Sequence, residues 1–246
     1  FGLGDYSGAW EVLTAGHTLD EDHPMVLLLT RFAAMAARRL GQPRARELAE
    51  ANVALFRQKF GDLNVETLGA TVALANTARA DGDLDGAHRL LERAVARYHA
   101  VLGDEHPFTL AAAADLAGVV RVSGRYSEAR TIDTEALSGL RRSVGVDHPF
   151  TLACANGLAA DLLHTGEAQQ AREIAADTLI RSRTVRGADH PDTVACAWNA
   201  ALDAGDEAAQ QQALSGLTKA YGEGHPTLDR AGRGERLETD IDVPPL

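Results

Sequence analysis

Cysteine and lysine are nearly absent from this chain of 246 residues, which contains two of each. The two cysteines, Cys154 and Cys196, are too few for a disulfide framework and fit a reducing compartment, so we expect a cytoplasmic protein. No run of about 18 apolar residues is present, and no signal peptide precedes the short apolar stretch at 25–29. These absences argue against a membrane-spanning segment and a secreted protein.

Aromatic side chains are also scarce, at 5% of the residues, which disfavours the core of a β-sandwich. Basic residues number 24 against 35 acidic ones, and the formal net charge of −11 disfavours broad nucleic-acid binding. Ala, Leu, Arg and Glu are abundant instead, within an ordinary balance of 45% hydrophobic and 24% charged residues. This composition predicts a helical globular protein.

The sequence repeats itself with a period of 42 residues. The segment His106–Leu110 recurs as His148–Leu152 and as His190–Val194, and weaker copies begin at His23, Asn64 and His225. These recurring segments are called linkers below. A glycine stands 18 residues after the first residue of each of the first four linkers, at Gly41, Gly82, Gly124 and Gly166. A further glycine closes each unit, at Gly61, Gly103, Gly145, Gly187 and Gly222. Three marks in one register predict a repeat protein.

Each unit predicts two helices. Proline suits the first position of a helix and keeps the preceding residue out of the α conformation, so His–Pro starts a helix that the mid-unit glycine ends. A second helix follows, for example over 126–144, with apolar or small residues three and four positions apart. The fifth unit differs, because its first helix reaches Gly205 three residues early. Since one pair cannot bury its apolar face alone, stacked neighbours must supply the core.

These residues resemble the tetratricopeptide repeat. Gly-x-Tyr-x-x-Ala occurs at 4–9 and 124–129, and Leu116-Ala117 stands eight residues before Gly124. The period and the linker Gly145–Leu152 are similar to the longer kinesin-light-chain-like subtype. The resemblance implies an all-α fold, a right-handed α-solenoid of helical hairpins, with residues 1–228 forming one array of about five repeats plus an N-terminal half repeat. Residues 229–246 lose the periodicity and are expected to form a C-terminal cap and a flexible acidic tail.

The N-terminal half repeat indicates that the array continues upstream of Phe1. The linker resembles that of the C-terminal arrays of actinobacterial proteins with an NB-ARC switch domain of the STAND type. That resemblance implies an upstream NTPase domain in the same polypeptide.

No catalytic signature is found: the sequence lacks a P-loop, GxGxxG, GxSxG and HExxH, and we predict neither an enzyme nor a cofactor. Five of the nine histidines stand in His–Pro pairs. Equivalent positions in successive repeats lie about 10 Å apart, too far for one zinc ion, so we predict no metal site. Cys154 and Cys196 each follow a linker proline by five residues. They are interpreted as small helix-packing residues, with a reactive thiol as the alternative.

Candidate binding residues stand at matching positions of the first helices, which line the concave face of tetratricopeptide arrays. Offsets of 8, 12 and 15 from the linker residue share one helix face. Offset 15 gives an arginine row of Arg38, Arg79 and Arg121. The other offsets add Arg31, Met35, Asn76, Asn156 and Trp198, with the small residues Gly118 and Ala160 between them and His164 at the groove edge.

The pattern predicts a scaffold that binds a protein or peptide partner. The arginine row is predicted to bind an acidic segment or a free carboxylate, and the asparagines are predicted to bind the peptide backbone. Met35 and Trp198 are candidate apolar anchors, although Trp198 is also interpreted as a core residue. Three alternatives stay open: a solvated or internally paired arginine row, a ligand-sensing regulatory arm of a signalling NTPase, and autoinhibition by the acidic tail 238–246. Neither nucleic acid nor a membrane is expected as a partner.

Overall fold

The computed structural model describes residues 5–15 and 24–244, and within them all regular secondary structure is helical. The candidate positions Gly4 and His23 lie outside the described residues. Twelve helices are described: α1 Tyr6–Thr14, α2 Pro24–Arg39, α3 Ala45–Phe60, α4 Val65–Ala80, α5 Leu84–Leu102, α6 Pro107–Val122, α7 Tyr126–Ser143, α8 Pro149–His164, α9 Ala168–Arg186, α10 Pro191–Ala204, α11 Glu207–Tyr221 and α12 Pro226–Gly232. The all-α prediction is therefore confirmed.

The linker histidines start helices through their side chains as well as through the proline that follows. Nδ1 of His148 accepts a hydrogen bond from the backbone N–H of Phe150 at 3.1 Å. His106, His190 and His225 cap their helices in the same way. In the unit that lacks His–Pro, Oδ1 of Asn64 accepts from the N–H of Glu66 at 2.9 Å. Asparagine thus replaces histidine as the N-cap because both offer an acceptor two residues before the donor.

A neutral imidazole is required for this cap, since a protonated ring has no acceptor nitrogen. Burial, aided by the charge of Arg186, lowers the pKa of His148. The lowered pKa keeps the ring in the form that can accept the hydrogen bond.

Glycines end the helices where the chain must turn into the left-handed region. Gly124 has φ 80° between α6 and α7, and Gly205 has φ 66° after the shortened helix α10. Only glycine takes such a φ without steric cost. The early Gly205 therefore shortens α10 without disturbing the hairpin, and α10 packs on α11.

Small residues let paired helices approach closely. Ala87, Ala129 and Ala171, each five residues after a mid-unit glycine, are fully buried. Consecutive helices pack against each other in the order α3, α4, α5 and again from α7 through α11. The helical hairpin predicted from the repeat is the packing unit.

The chain divides into two compact units. Unit 1 contains the described residues up to 112 together with 242–244, and unit 2 contains residues 113–241. Each unit therefore holds part of the C-terminal segment. Among the described helices, none is both long and apolar enough to cross a membrane.

Candidate peptide-binding site

In unit 2, the segment after α12 has no regular secondary structure and lies against the first helices of the hairpins. The side-chain amide of Asn199 on α10 holds the backbone of Leu237 at both polar groups. Its Oδ1 accepts from the Leu237 N–H at 2.8 Å, and its Nδ2 donates to the Leu237 carbonyl at 2.8 Å. One amide thus satisfies both hydrogen-bonding groups of one peptide residue.

Asn156 on α8 supports the same contact. Its Nδ2 lies 3.3 Å from the Leu237 carbonyl and 3.3 Å from the Thr239 hydroxyl. Its Oδ1 accepts a hydrogen bond from Nδ2 of Asn199 at 3.0 Å, which fixes the orientation of both amides. The two asparagines form one buried hydrogen-bonded pair on the segment's backbone.

Trp198 is both a core residue and a contact of the segment. Its indole Nε1 donates to the backbone carbonyl of Glu235 at 2.8 Å. Its ring also belongs to a buried apolar cluster that includes Leu237 of the segment, together with Val194 and Leu217. The two interpretations of Trp198 describe two ends of one side chain.

Arg121 of α6 lies at the centre of a buried ionic group. Its guanidinium pairs with Asp133 of α7 at 2.5 Å, with Asp161 of α8 at 2.7 Å, and with Glu238 of the segment. Gly157 leaves room for this group, because a Cβ there would meet Nη2 of Arg121 at 2.6 Å. Arg121 thus combines an internal pairing with a contact to the segment.

Burial and the charge of Arg121 shift the pKa values of the two aspartates in opposite directions. Burial, the larger effect, raises the pKa of Asp133, and the neighbouring Asp161 adds to the rise while Arg121 opposes it. The pKa of Asp161 is raised for the same first reason. Two carboxylates of unit 2 already compete for the charge of Arg121, so this arginine is not a free cation awaiting an acidic ligand.

In unit 1, the end of the segment meets the arginines of α2. Asp242 accepts hydrogen bonds from Arg38 at 2.6 Å and from Arg39 at 3.0 Å. Arg31 donates to the Val243 carbonyl at 2.6 Å and also pairs with Glu66 of α4. Burial alone would raise the pKa of Asp242, but the charges and hydrogen bonds of Arg38 and Arg39 outweigh it and lower the pKa.

The remaining predicted residues have other settings. Met35 and Asn76 are buried in unit 1, and Arg79 is half-buried near the end of α4. His164 is exposed, and its ring stacks on Tyr126 with the centroids 3.8 Å apart. The structure therefore brings Arg121, Asn156 and Trp198 together on residues 235–239, and Arg31 and Arg38 together on 242–243.

Four residues that hold the segment were missing from the sequence prediction: Asp115, Asn199, Asp203 and Arg39. Oδ1 of Asp115 accepts from the Ile241 N–H at 2.9 Å, and Asp203 pairs with Arg236. Asp115 and Asn199 stand nine residues after their linker histidines, and Asp203 stands thirteen residues after His190. Including offsets 9 and 13 in the register would have found these three.

Comparison with known proteins agrees with the repeat architecture. Residues 66–142 and 110–179 match the family model of the tetratricopeptide repeat, so the chain carries such repeats over residues 66–179. Repeats of this kind are typical of protein-interaction scaffolds. No curated protein matches the sequence.

Three solved structures are similar to this chain in fold. One is a Podosopora anserina chain described as a kinesin light chain candidate, whose TPR-like repeats are nearly identical to one another. It shares 24% sequence identity with this chain and covers 81% of this chain and 96% of its own, with a TM-score of 0.56. A single-substitution variant of those repeats is also 24% identical and covers 86% and 98%, with a TM-score of 0.58. BtubC (BKLC) from P. vanneervenii is 16% identical and covers 100% and 96%, with a TM-score of 0.58. At these identities the likeness establishes the fold.

Proposed function

We propose that this chain is a non-catalytic scaffold for protein–protein interaction, and that its first helices bind an extended protein segment. The observation that carries the proposal is the seating of the chain's own residues 235–241, whose backbone is held by Asn199 and Asn156. Paired hydrogen bonds to N–H and C=O recognise any extended peptide, since every non-proline residue offers both groups. Side-chain contacts on either side then select the sequence.

A preference for an acidic segment is supported best in unit 1. Two guanidinium groups, of Arg38 and Arg39, converge there on the single carboxylate of Asp242. Charge-assisted bonds of this kind are stronger than neutral ones and favour a carboxylate over a neutral side chain. We therefore propose that Arg38 and Arg39 bind an acidic side chain of the partner, and that Arg31 binds the neighbouring backbone carbonyl.

The occupied site makes the C-terminal segment an autoinhibitory ligand in this proposal. A partner that uses the contacts of unit 2 must displace residues 235–241, and its apparent affinity is its intrinsic affinity multiplied by the fraction of molecules in which these residues are released. Loosening the segment should therefore strengthen binding of a partner without adding any contact.

Competition in the full chain tests this function. A labelled synthetic peptide with the sequence of residues 235–241 should bind saturably, whereas a scrambled peptide of the same composition should not. Leu237→Ala in the chain's own segment should tighten binding of the peptide, because the internal competitor is weakened. Equal binding of both peptides, or an affinity that Leu237→Ala leaves unchanged, would contradict the proposal.

A regulatory arm is the second candidate, and the segment's docked position is the observation that favours it. A segment that is either docked or released is a two-state element, and a ligand that releases it can be coupled to an attached domain. A P-loop motif in the polypeptide upstream of Phe1 would support this candidate, and an upstream sequence without any nucleotide-binding motif would count against it.

A further inference from the structure

The pairing of Arg236 with Asp203 distinguishes the site of unit 2 from a simple acid-binding groove. The side chains of Arg236 and Asp203 are only 13% and 5% exposed, and they form an ion pair through Nη1 and Oδ1. The next residue, Leu237, is 3% exposed within the apolar cluster of Trp198. A basic and an apolar residue thus occupy adjacent positions in two different environments.

We infer that the site of unit 2 selects a basic residue followed directly by an apolar residue, so that a protein segment displacing residues 235–241 carries an Arg–Leu type of pair. This inference rests on the proposed function and names the class of partner sequence. It also differs from the expectation of an acidic partner, because the selecting charge is the carboxylate of Asp203.

The position of Asp203 supports selection of a cation. It lies in the last turn of α10, which has no basic residue in that turn. The C-terminal end of a helix carries a partial negative charge, to which the carboxylate of Asp203 adds. The cation that balances this end comes from the segment, so a neutral or acidic residue at position 236 would leave Asp203 buried without a counter-charge.

The asparagine contacts define one position of the bound segment, which residue 237 occupies. Both backbone groups of Leu237 bind Asn199. Because any non-proline residue offers the same two groups, the side chains at positions 236 and 237 decide which residue takes that position. Successive side chains of an extended chain point in opposite directions. The register therefore sends residue 236 to Asp203 and residue 237 to the apolar cluster.

Arg121 contributes less to this selection. Asp133 and Asp161, both buried in unit 2, already pair with its guanidinium at 2.5 and 2.7 Å. The charge of Arg121 is thus shared within the unit, whereas the described ion pair of Asp203 is with the segment itself.

A charge exchange in the full chain tests the inference. The readout is hydrogen exchange at the Leu237 amide, which is bonded to Asn199 only when the segment is docked. Arg236→Glu and Asp203→Arg should each speed this exchange by at least about tenfold, the lower range for breaking a buried ion pair. The double variant should recover most of the protection, because the pair is restored with its charges reversed.

Arg233→Glu is the matched control. It makes the same charge change three residues earlier, at a side chain that is 60% exposed and pairs with Glu235. It should leave exchange at Leu237 unchanged. Single variants that exchange as slowly as the wild type, or a double variant no slower than the faster single variant, would overturn the inference.

A second measurement covers the case in which Asp203→Arg fails to fold. Unlabelled peptides of residues 235–241 with Arg, Gln or Glu at position 236 compete with the labelled peptide for binding to the wild-type chain. The peptide with Arg should bind most tightly, the peptide with Gln less tightly and the peptide with Glu least tightly. Equal competition by all three overturns the selection but leaves segment binding intact. Failure of every peptide contradicts the proposed function instead, and Arg236→Glu in the full chain still decides the selection through exchange at Leu237.

Discussion

Asn199→Ala should release the C-terminal segment from unit 2. The side chain makes two hydrogen bonds of 2.8 Å to the backbone of Leu237, a residue that is otherwise buried. A hydrogen bond contributes about 0.5–1.5 kcal/mol net, so losing both weakens docking by about 1–3 kcal/mol. Since each 1.4 kcal/mol is tenfold, the docked fraction relative to the released one should fall by about 5- to 150-fold.

Hydrogen exchange at the Leu237 and Ile241 amides measures that change. Leu237 donates to Asn199, whereas Ile241 donates to Asp115 on another helix. If the segment leaves as one body, both amides should exchange faster in the variant by similar factors. If only the amide of Leu237 accelerates, the contact is local and Asn199 does not control docking.

Asn52→Ala is the matched control, because Asn52 is also a buried helical asparagine. Its Nδ2 donates to the Thr30 hydroxyl at 2.9 Å within unit 1, far along the sequence from the segment. The control should lower the free energy of unfolding without changing exchange at Leu237. Equal exchange at Leu237 in wild type and Asn199→Ala would refute the assigned role of the asparagine pair.

Three further outcomes follow from the buried charges and thiols. Arg121→Ala should lower the free energy of unfolding by about 3–5 kcal/mol in denaturant titrations, because it leaves buried carboxylates without their cation. Cys154 and Cys196 should not react with a thiol reagent before unfolding, since burial raises both pKa values, that of Cys196 to about 12. The pKa of Asp242 is lowered when the segment is docked. Docking at Arg38 is therefore favoured at pH values above the ordinary Asp pKa of about 3.9, and it is lost as the pH falls through the lowered pKa. The chain with Asp242→Asn should lose that pH dependence in exchange measurements.

The helices could be predicted from the sequence because each carries its own start and stop. His148 marks the start of α8 through both its proline neighbour and its ring, and Gly205 marks the early end of α10. Such signals act within a few residues, where the chain's chemistry alone decides the conformation. Helix α4 begins at the expected place although Asn64 and Val65 stand where other units have His–Pro, because Asn64 supplies the capping acceptor.

Parts of the candidate site could also be predicted, because equivalent positions of a repeat share one helix face. Asn156 and Trp198 were found by the offset of eight residues, and both contact the segment. Asn199 and Asp203 lie outside offsets 8, 12 and 15, although a helix face is wide enough to include offsets 9 and 13 as well. A wider register reading would have placed them beside their neighbours.

What the repeat could not reveal is where its charges are balanced. Arg121 belongs to the predicted arginine row, yet Asp133 and Asp161, which pair with it, come from the following two helices. Residues 235–243 have no counterpart in the other units, so periodicity gives no information about their partners. Their backbone contacts arise because Leu237, Ile241 and Val243 are buried and their polar groups then require partners. Burial of three spaced apolar residues in a largely acidic stretch is therefore the physical reason that this segment docks, and side-chain contacts such as the ion pair of Arg236 with Asp203 determine its register.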